Sequence, residues 1–156
     1  EFYNLAAMSH VGISYYTGEA TLNINTIASY RILESILNNH KKCKFYQASS
    51  SEMFGSTPPP QNETSPFNPQ SPYGISKVSA FHTTKYFRQA HGLFASNGIL
   101  FNHESPRRGL NFVTRKITHS LARILKGHEK KIFLVRSLII QFFKINFFFK
   151  FNTRIA

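Results

Sequence analysis

The sequence predicts an α/β domain, and three observations carry that prediction. Strand-like and helix-like segments alternate along the chain: strand, helix, strand, helix, strand, helix. That order implies a parallel sheet whose strands are joined by crossover helices. The polar clusters "AAMSH", "SSSE" and "NHESPRR" each follow one of the three strands. Ligands in such sheets bind beyond the carboxyl ends of the strands, so all three clusters fall where chemistry belongs.

Residues 1–8 form the first strand candidate, with Phe2, Tyr3 and Leu5 followed by small residues. From Thr21 to Leu37 the pattern is helical, with Ile24, Ala28, Ile32 and Ile36 on one face. "NNHKK" ends it, and "CKFYQASS" (43–50) reads as the second strand. Residues 54–72 hold six of the seven prolines and are loop. A second helix spans 73–91 and stops at Gly92. "FASNGILFNH" (94–103) is the third strand, and "ESPRRG" a turn. Val113, Ile117, Leu121 and Leu125 mark a third helix, stopped at Gly127.

Composition narrows the partners. Nineteen Lys and Arg against seven Glu, with no aspartate, give a formal charge of +12. Such a balance raises nucleic acid or an anionic membrane as a partner. Here the basic residues are scattered among short clusters, with no zinc-finger spacing, RNA-recognition signature or heptad-bearing basic helix. No nucleic-acid partner is therefore expected. The single Cys43 excludes an intramolecular disulfide and suits a reducing compartment. The seven histidines are dispersed, so no metal site is expected. Residues 131–156 form a Phe-rich, basic tail with neither helical nor strand periodicity. Arg136, Gln141, Lys144 and Asn146 interrupt it, which leaves no membrane span of about 20 apolar residues. The opening "EFYNLAAM" lacks the features of a signal peptide and reads as a strand, so the chain is expected to be a fragment.

Four clusters could carry chemistry. Tyr73 and Lys77 in "SPYGISK" stand four apart, one helical turn, on one helix face. An ammonium near a phenol favours the phenolate, making tyrosine a usable acid or base. With 7 Tyr and 11 Lys in the chain, chance supplies roughly half of one such pair, so the spacing alone is weak. "QASSSEMFG" runs a strand into hydroxyls and the carboxylate of Glu52; an isolated S-x-E is more often a cap followed by an exposed acid. "FNHESPRRG" offers Asn102, His103, Arg107 and Arg108 for pyrophosphate or ribose, or is simply a solvated basic turn. "NFVTRKI" opens the third helix, whose free N–H groups favour an anion; the plainer reading is an ordinary cap.

Together, "YNLAAMSHV", "FYQASSSEMFG", "SPYGISK" and "GILFNHESPRRGLNFVTRKI" closely resemble the GDP-mannose 4,6-dehydratases, extended short-chain dehydrogenase/reductases. The resemblance covers residues 1–130, and its most specific part is the run from Asn102 to Ile117. It implies a partial Rossmann-type parallel sheet with crossover helices, the central part of an NADP-binding domain. It also implies conversion of GDP-mannose to GDP-4-keto-6-deoxymannose and water, a cytoplasmic step toward GDP-fucose, by an enzyme that self-associates. By the same resemblance Tyr73 is the base for the sugar 4-hydroxyl and Lys77 its partner and a ribose ligand. Glu52 takes the C5 proton and Ser50 assists loss of water from C6. Leu5, Ala6, Ala7, Met8 and Ser9 line the dinucleotide, with His103 and Arg108 completing the cleft. Asn111 and Lys116 hold the GDP part.

The chain departs from the family pattern at Ser50, where threonine is usual, and at Ala20, where a tyrosine lies near the cofactor. The Gly-rich G-x-x-G-x-x-G turn and the substrate lobe are absent from the sequence. The isolated chain is therefore expected to be an inactive fragment with an unrelated tail. Two other readings compete. A related NDP-sugar dehydratase or epimerase shares Tyr-x-x-x-Lys, although an epimerase needs no C5 base such as Glu52. A basic, non-enzymatic fragment that binds nucleic acid or membrane is the other.

Overall fold

A computed structural model describes residues 1–132, divided into one unit of Glu1–Asn102 and a second beginning at His103. The 131–156 tail falls almost wholly outside the described residues. In the first unit three strands, β1 (Phe2–Asn4), β2 (Phe45–Ser50) and β3 (Ala95–Leu100), lie side by side in that order. Both pairings are parallel, with Phe2 opposite Phe45 and Phe45 opposite Ala95. The expected parallel sheet with crossover connections is present.

Alternation along the strands divides the sheet into two faces. On one, Phe45 and Ala95 pack with Leu33, Ile36, Phe87 and Leu93 into the main apolar core. Burial of each large member stabilises the fold by about 1.5–3 kcal/mol. On the other, the Tyr3 and Tyr46 rings lie 5.9 Å apart. Gly98 on β3 leaves room for Tyr46, because a Cβ there would overlap the phenol, 1.9 Å from its oxygen.

The connection between β1 and β2 departs from expectation. The first strand is only three residues long, and the chain then forms α1 (Val11–Ser14) and α2 (Gly18–Leu22). A π-turn (Asn23–Ile27) leads directly into α3 (Ala28–Asn39). The face that Ile24, Ala28, Ile32 and Ile36 predict holds only at its end: Ile36 is buried and Ile32 packs against the core, whereas Ile24 is 44% exposed. In the first half Thr21, Asn25 and Ser29 are buried in its place, and Leu33 joins Ile36 further on. They face polar partners: Asn4 donates to Ser29 Oγ at 3.1 Å and to Gln47 Oε1 at 2.8 Å.

Helix α4 (Pro72–His91) follows the sequence closely. Ser71 caps it by accepting from the Gly74 N–H at 3.0 Å, Pro72 occupies the first turn, and Gly92 ends it in the left-handed conformation, φ 67°. The proline-rich loop before it is anchored: Ser56 N–H donates to the Asn68 carbonyl at 3.2 Å, and Asn68 N–H to the Met53 carbonyl at 3.1 Å. Phe67 packs edge-on to Phe81, ring centres 5.0 Å apart.

In the second unit the one helix among the described residues is α5 (Val113–Leu125), with Gly127 in the left-handed region at φ 75°. Of its expected apolar face Val113 is buried, whereas Leu121 and Leu125 are exposed. The expected helix is present, but only its first turn buries an apolar side chain.

Candidate active site

The candidate site is assembled at the carboxyl end of β2. Ser50 ends the strand and caps a short 3₁₀ turn, Ser51–Met53, its Oγ accepting from the Glu52 N–H at 3.2 Å. Ser50 is buried and Glu52 half-buried. The first turn of α4 is pressed against that same turn: a Cβ added at Gly74 would stand 2.8 Å from the Glu52 carbonyl oxygen. Glycine permits the approach, and so brings the helix carrying Tyr73 beside the turn carrying Glu52.

Tyr73 is buried, and its N–H donates to Ser14 Oγ at 3.2 Å. Ser14 Oγ in turn donates to the Val11 carbonyl at 2.6 Å, which ties α1 to the start of α4. Lys77, 4% exposed, places Nζ 5.8 Å from the centre of the Tyr73 ring and donates to the Ala48 carbonyl at 2.9 Å. The helical spacing thus brings phenol and amine together as read from the sequence. Burial lowers the Lys77 pKa from 10.5 to about 8. An amine in that range can gain or lose its charge near neutral pH.

Leu5–Ser9 form the segment that leaves β1. Leu5, Ala6 and Ser9 are exposed, while Ala7 and Met8 are half-buried. Met8 is held by Asn25, whose Oδ1 accepts from the Met8 N–H at 2.9 Å. The following turn is also fixed, since His10 caps α1 by accepting from the Ile13 N–H at 3.2 Å through Nδ1.

The remaining sequence candidates lie in the second unit. His103 and Asn111 are exposed, and Lys116 is half-buried in the first turn of α5. The Arg108 guanidinium lies 3.8 Å above the Phe112 ring, and its Nε stands 3.5 Å from Glu104 Oε2. Stacking on Phe112 orders the planar group and leaves its outer N–H edge as the polar side.

Sequence reading missed Asn25, Ser76 and Ser14. Two signals pointed to the first two, small polar residues at Thr21, Asn25 and Ser29, four apart, and a hydroxyl at Ser76 between Tyr73 and Lys77; none pointed to Ser14. An open groove of about 880 Å³ lined by Phe2, Arg31, Ile32, Ile36, His40 and Cys43 lies at the amino ends of β1 and β2. It contains none of these groups. Among the described residues no three His, Cys, Asp or Glu side chains could hold a metal ion, and no helix is long and apolar enough to cross a membrane.

A parallel sheet with crossover helices on which a helix carries a buried Tyr–Lys pair is an α/β domain of Rossmann type. The family model described as GDP-mannose 4,6 dehydratase matches residues 1–137, and the chain belongs to that family. It is 55% identical over 138 residues to GDP-mannose 4,6 dehydratase 1 of Arabidopsis thaliana, covering 86% of this chain and 38% of that protein. With GDP-mannose 4,6-dehydratase of Vibrio cholerae serotype O1 it shares 51% over 137 residues, 86% of this chain and 37% of that protein. The chain thus spans less than two-fifths of these curated relatives. Among solved structures, RMD from Pseudomonas aeruginosa complexed with NADPH superposes with a TM-score of 0.77 at 23% identity. That likeness covers 81% of this chain and 44% of the other, and it shows the fold.

Proposed function

We propose that the chain is the central part of the NADP-binding domain of a GDP-mannose 4,6-dehydratase, a cytoplasmic lyase that self-associates at full length. The reaction converts GDP-mannose to GDP-4-keto-6-deoxymannose and water. The observation that carries this reading is Lys77 Nζ beside the Tyr73 ring at 5.8 Å, on a helix packed against the turn of Glu52.

Tyr73 takes the proton of the sugar 4-hydroxyl, and the Lys77 ammonium stabilises the phenolate that does so. Once a 4-keto group is present the C5 proton is acidic, and Glu52 removes it. The C6 hydroxyl leaves as water on taking up the proton that Glu52 removed from C5, and the Ser50 hydroxyl hydrogen-bonds the departing oxygen. The nicotinamide half of the cofactor suits the residues present: Ala6, Ala7 and Ser9 offer small side chains just beyond a strand end, and Lys77 offers an N–H donor for a ribose. NADP held there would supply the hydride chemistry, as acceptor for C4 and donor for C6. His103 and Arg108 serve the cofactor, and Asn111 and Lys116 the GDP moiety. The pyrophosphate cradle is not supplied by this sequence, which has no G-x-x-G-x-x-G turn.

The test is a chimera in which residues 1–130 replace the matching segment of the Arabidopsis relative. It is expected to dehydrate GDP-mannose, with Tyr73→Phe and Glu52→Gln each lowering the rate by about 10²–10⁴-fold. The isolated 156-residue chain is expected to give no turnover. A chimera that turns over dTDP-glucose and not GDP-mannose overturns the assignment.

A further inference from the structure

The polar layer between the sheet and helices α3 and α4 contains a chain of hydrogen bonds that ends at the carbonyl holding Lys77. Ser29 Oγ donates its single proton to the Asn25 carbonyl at 2.7 Å, so it accepts from Asn4 Nδ2 at 3.1 Å. Asn4 Nδ2 presents its other N–H to Gln47 Oε1 at 2.8 Å. That turns the amino group of Gln47 to the Ala48 carbonyl, to which Nε2 donates at 3.3 Å. The same carbonyl accepts from Lys77 Nζ at 2.9 Å. A Gln47 amide turned over would oppose two donors at Asn4 and two acceptors at Ala48. Asn4, Ser29, Gln47 and Lys77 are each at most 5% exposed, so water cannot stand in for any of these partners.

The Ala48 carbonyl is open to side chains for a reason that lies in β1. Alternate carbonyls of a parallel strand face the same neighbour, and the Phe2 N–H donates to the Lys44 carbonyl, so that of Ala48 faces the same side. Strand β1 ends at Asn4, opposite Gln47, and offers no residue opposite Ala48. One amide and one amine take its place. An oxygen with two lone pairs then serves two side-chain donors.

We propose that Gln47 is a positioning residue for Lys77: its carboxamide, oriented by Asn4, holds one lone pair of the Ala48 carbonyl and confines Nζ to the other, 5.8 Å from the Tyr73 ring centre. The inference rests on the functional reading above, in which Lys77 partners the Tyr73 phenol. The amide has a second effect. Its N–H and the ammonium bring like-signed ends to one oxygen, which disfavours the charged amine.

NMR on the 156-residue chain tests the proposal through the titration of Lys77, followed at its Cε, in Gln47→Met, Asn4→Ala and Ser49→Ala. Methionine keeps the length of glutamine without its N–H. Gln47→Met is expected to raise the midpoint by roughly 0.3–0.6 in pH, the effect of relieving one hydrogen bond that competes for the carbonyl. Asn4→Ala, which frees Gln47 Oε1, is expected to move it the same way by less. Ser49→Ala removes a buried hydroxyl on the same sheet face, bonded to Asn97 at 3.2 Å, without touching the Ala48 carbonyl. It is expected to leave the midpoint in place. Tyr73 and Glu52 belong to the same corner and are unchanged in every variant. An unmoved or lowered midpoint in Gln47→Met or Asn4→Ala, or an equal shift in Ser49→Ala, overturns the proposal. Should the variants fail to fold, the unsubstituted chain decides. Its Gln47 Nε2 resonance is expected to titrate with Lys77, at about 8, and a Gln47 signal that stays flat through that range overturns the shared carbonyl. GDP-mannose turnover by the unsubstituted chimera reports on the functional reading separately, and its failure leaves the titration results intact.

Discussion

Lys77 donates to the Ala48 carbonyl across 2.9 Å, so the helix residue that partners Tyr73 is fastened to the strand whose following turn carries Glu52. Amine, phenol and carboxylate are thereby referred to one rigid element. The same contact places a titrating group where water cannot solvate it.

That placement fixes a pH dependence. The folded-state pKa of Lys77 is about 8, against 10.5 unperturbed. Below pH ~8 both folded and unfolded chains hold the proton, and the penalty of burying it is fully present. Between ~8 and ~10.5 only the unfolded chain holds it, so stability rises with pH, by up to about 3 kcal/mol across the window. Urea midpoints measured from pH 7 to 10.5 are expected to climb with this limb, and Lys77→Met is expected to flatten it.

Lys77→Met separates stability from function at pH 7. The variant removes a buried charge and loses one hydrogen bond to Ala48, a net gain in stability of about 1–2 kcal/mol. In the chimera it is expected to abolish turnover of GDP-mannose. A melting temperature that falls, or a rate that survives, contradicts the placement of Nζ beside Tyr73.

Gly55→Ala is expected to be among the most damaging single changes. Gly55 has φ 51°, and an added Cβ would stand 1.9 Å from the Asn68 carbonyl oxygen. The chain has to shift away from main-chain atoms and accept left-handed strain, at a cost of about 2–4 kcal/mol. Chemical denaturation reads the loss, and proteolysis within residues 56–70 reads the loosened loop.

Ser71→Ala deprives the Gly74 N–H of its cap and is expected to destabilise α4 by about 1 kcal/mol. Since Tyr73 lies in that first turn, the chimera is expected to lose kcat more than it changes KM.

Much of this was legible because local chemistry and tertiary structure agree. The helix read over 73–91 and stopped at Gly92 is α4, which begins one residue earlier at Pro72, and the four-residue interval from Tyr73 to Lys77 survives as a contact. The segment before α3 was misread for a physical reason. Periodicity follows apolar residues, and there the buried side is Thr21, Asn25 and Ser29, while Ile24 and Ile27 point outward. Those polar side chains are buried because they meet other polar groups from β1, the Met8 segment and α4, which no reading of one helix alone can reveal. The shortness of β1 has the same origin: Met8 finds its partners in a side chain, not in a neighbouring strand.

A seam closed by amides and hydroxyls constrains how such a sequence can drift. Methyl groups tolerate approximate replacements, but here each donor has a designated acceptor, as Asn4 has Gln47 and Ser29, and Asn25 has Ser76. Losing one member strands the other without water. Homologues are therefore expected to exchange these positions in correlated pairs, and a lineage altered at only one of them should be rare.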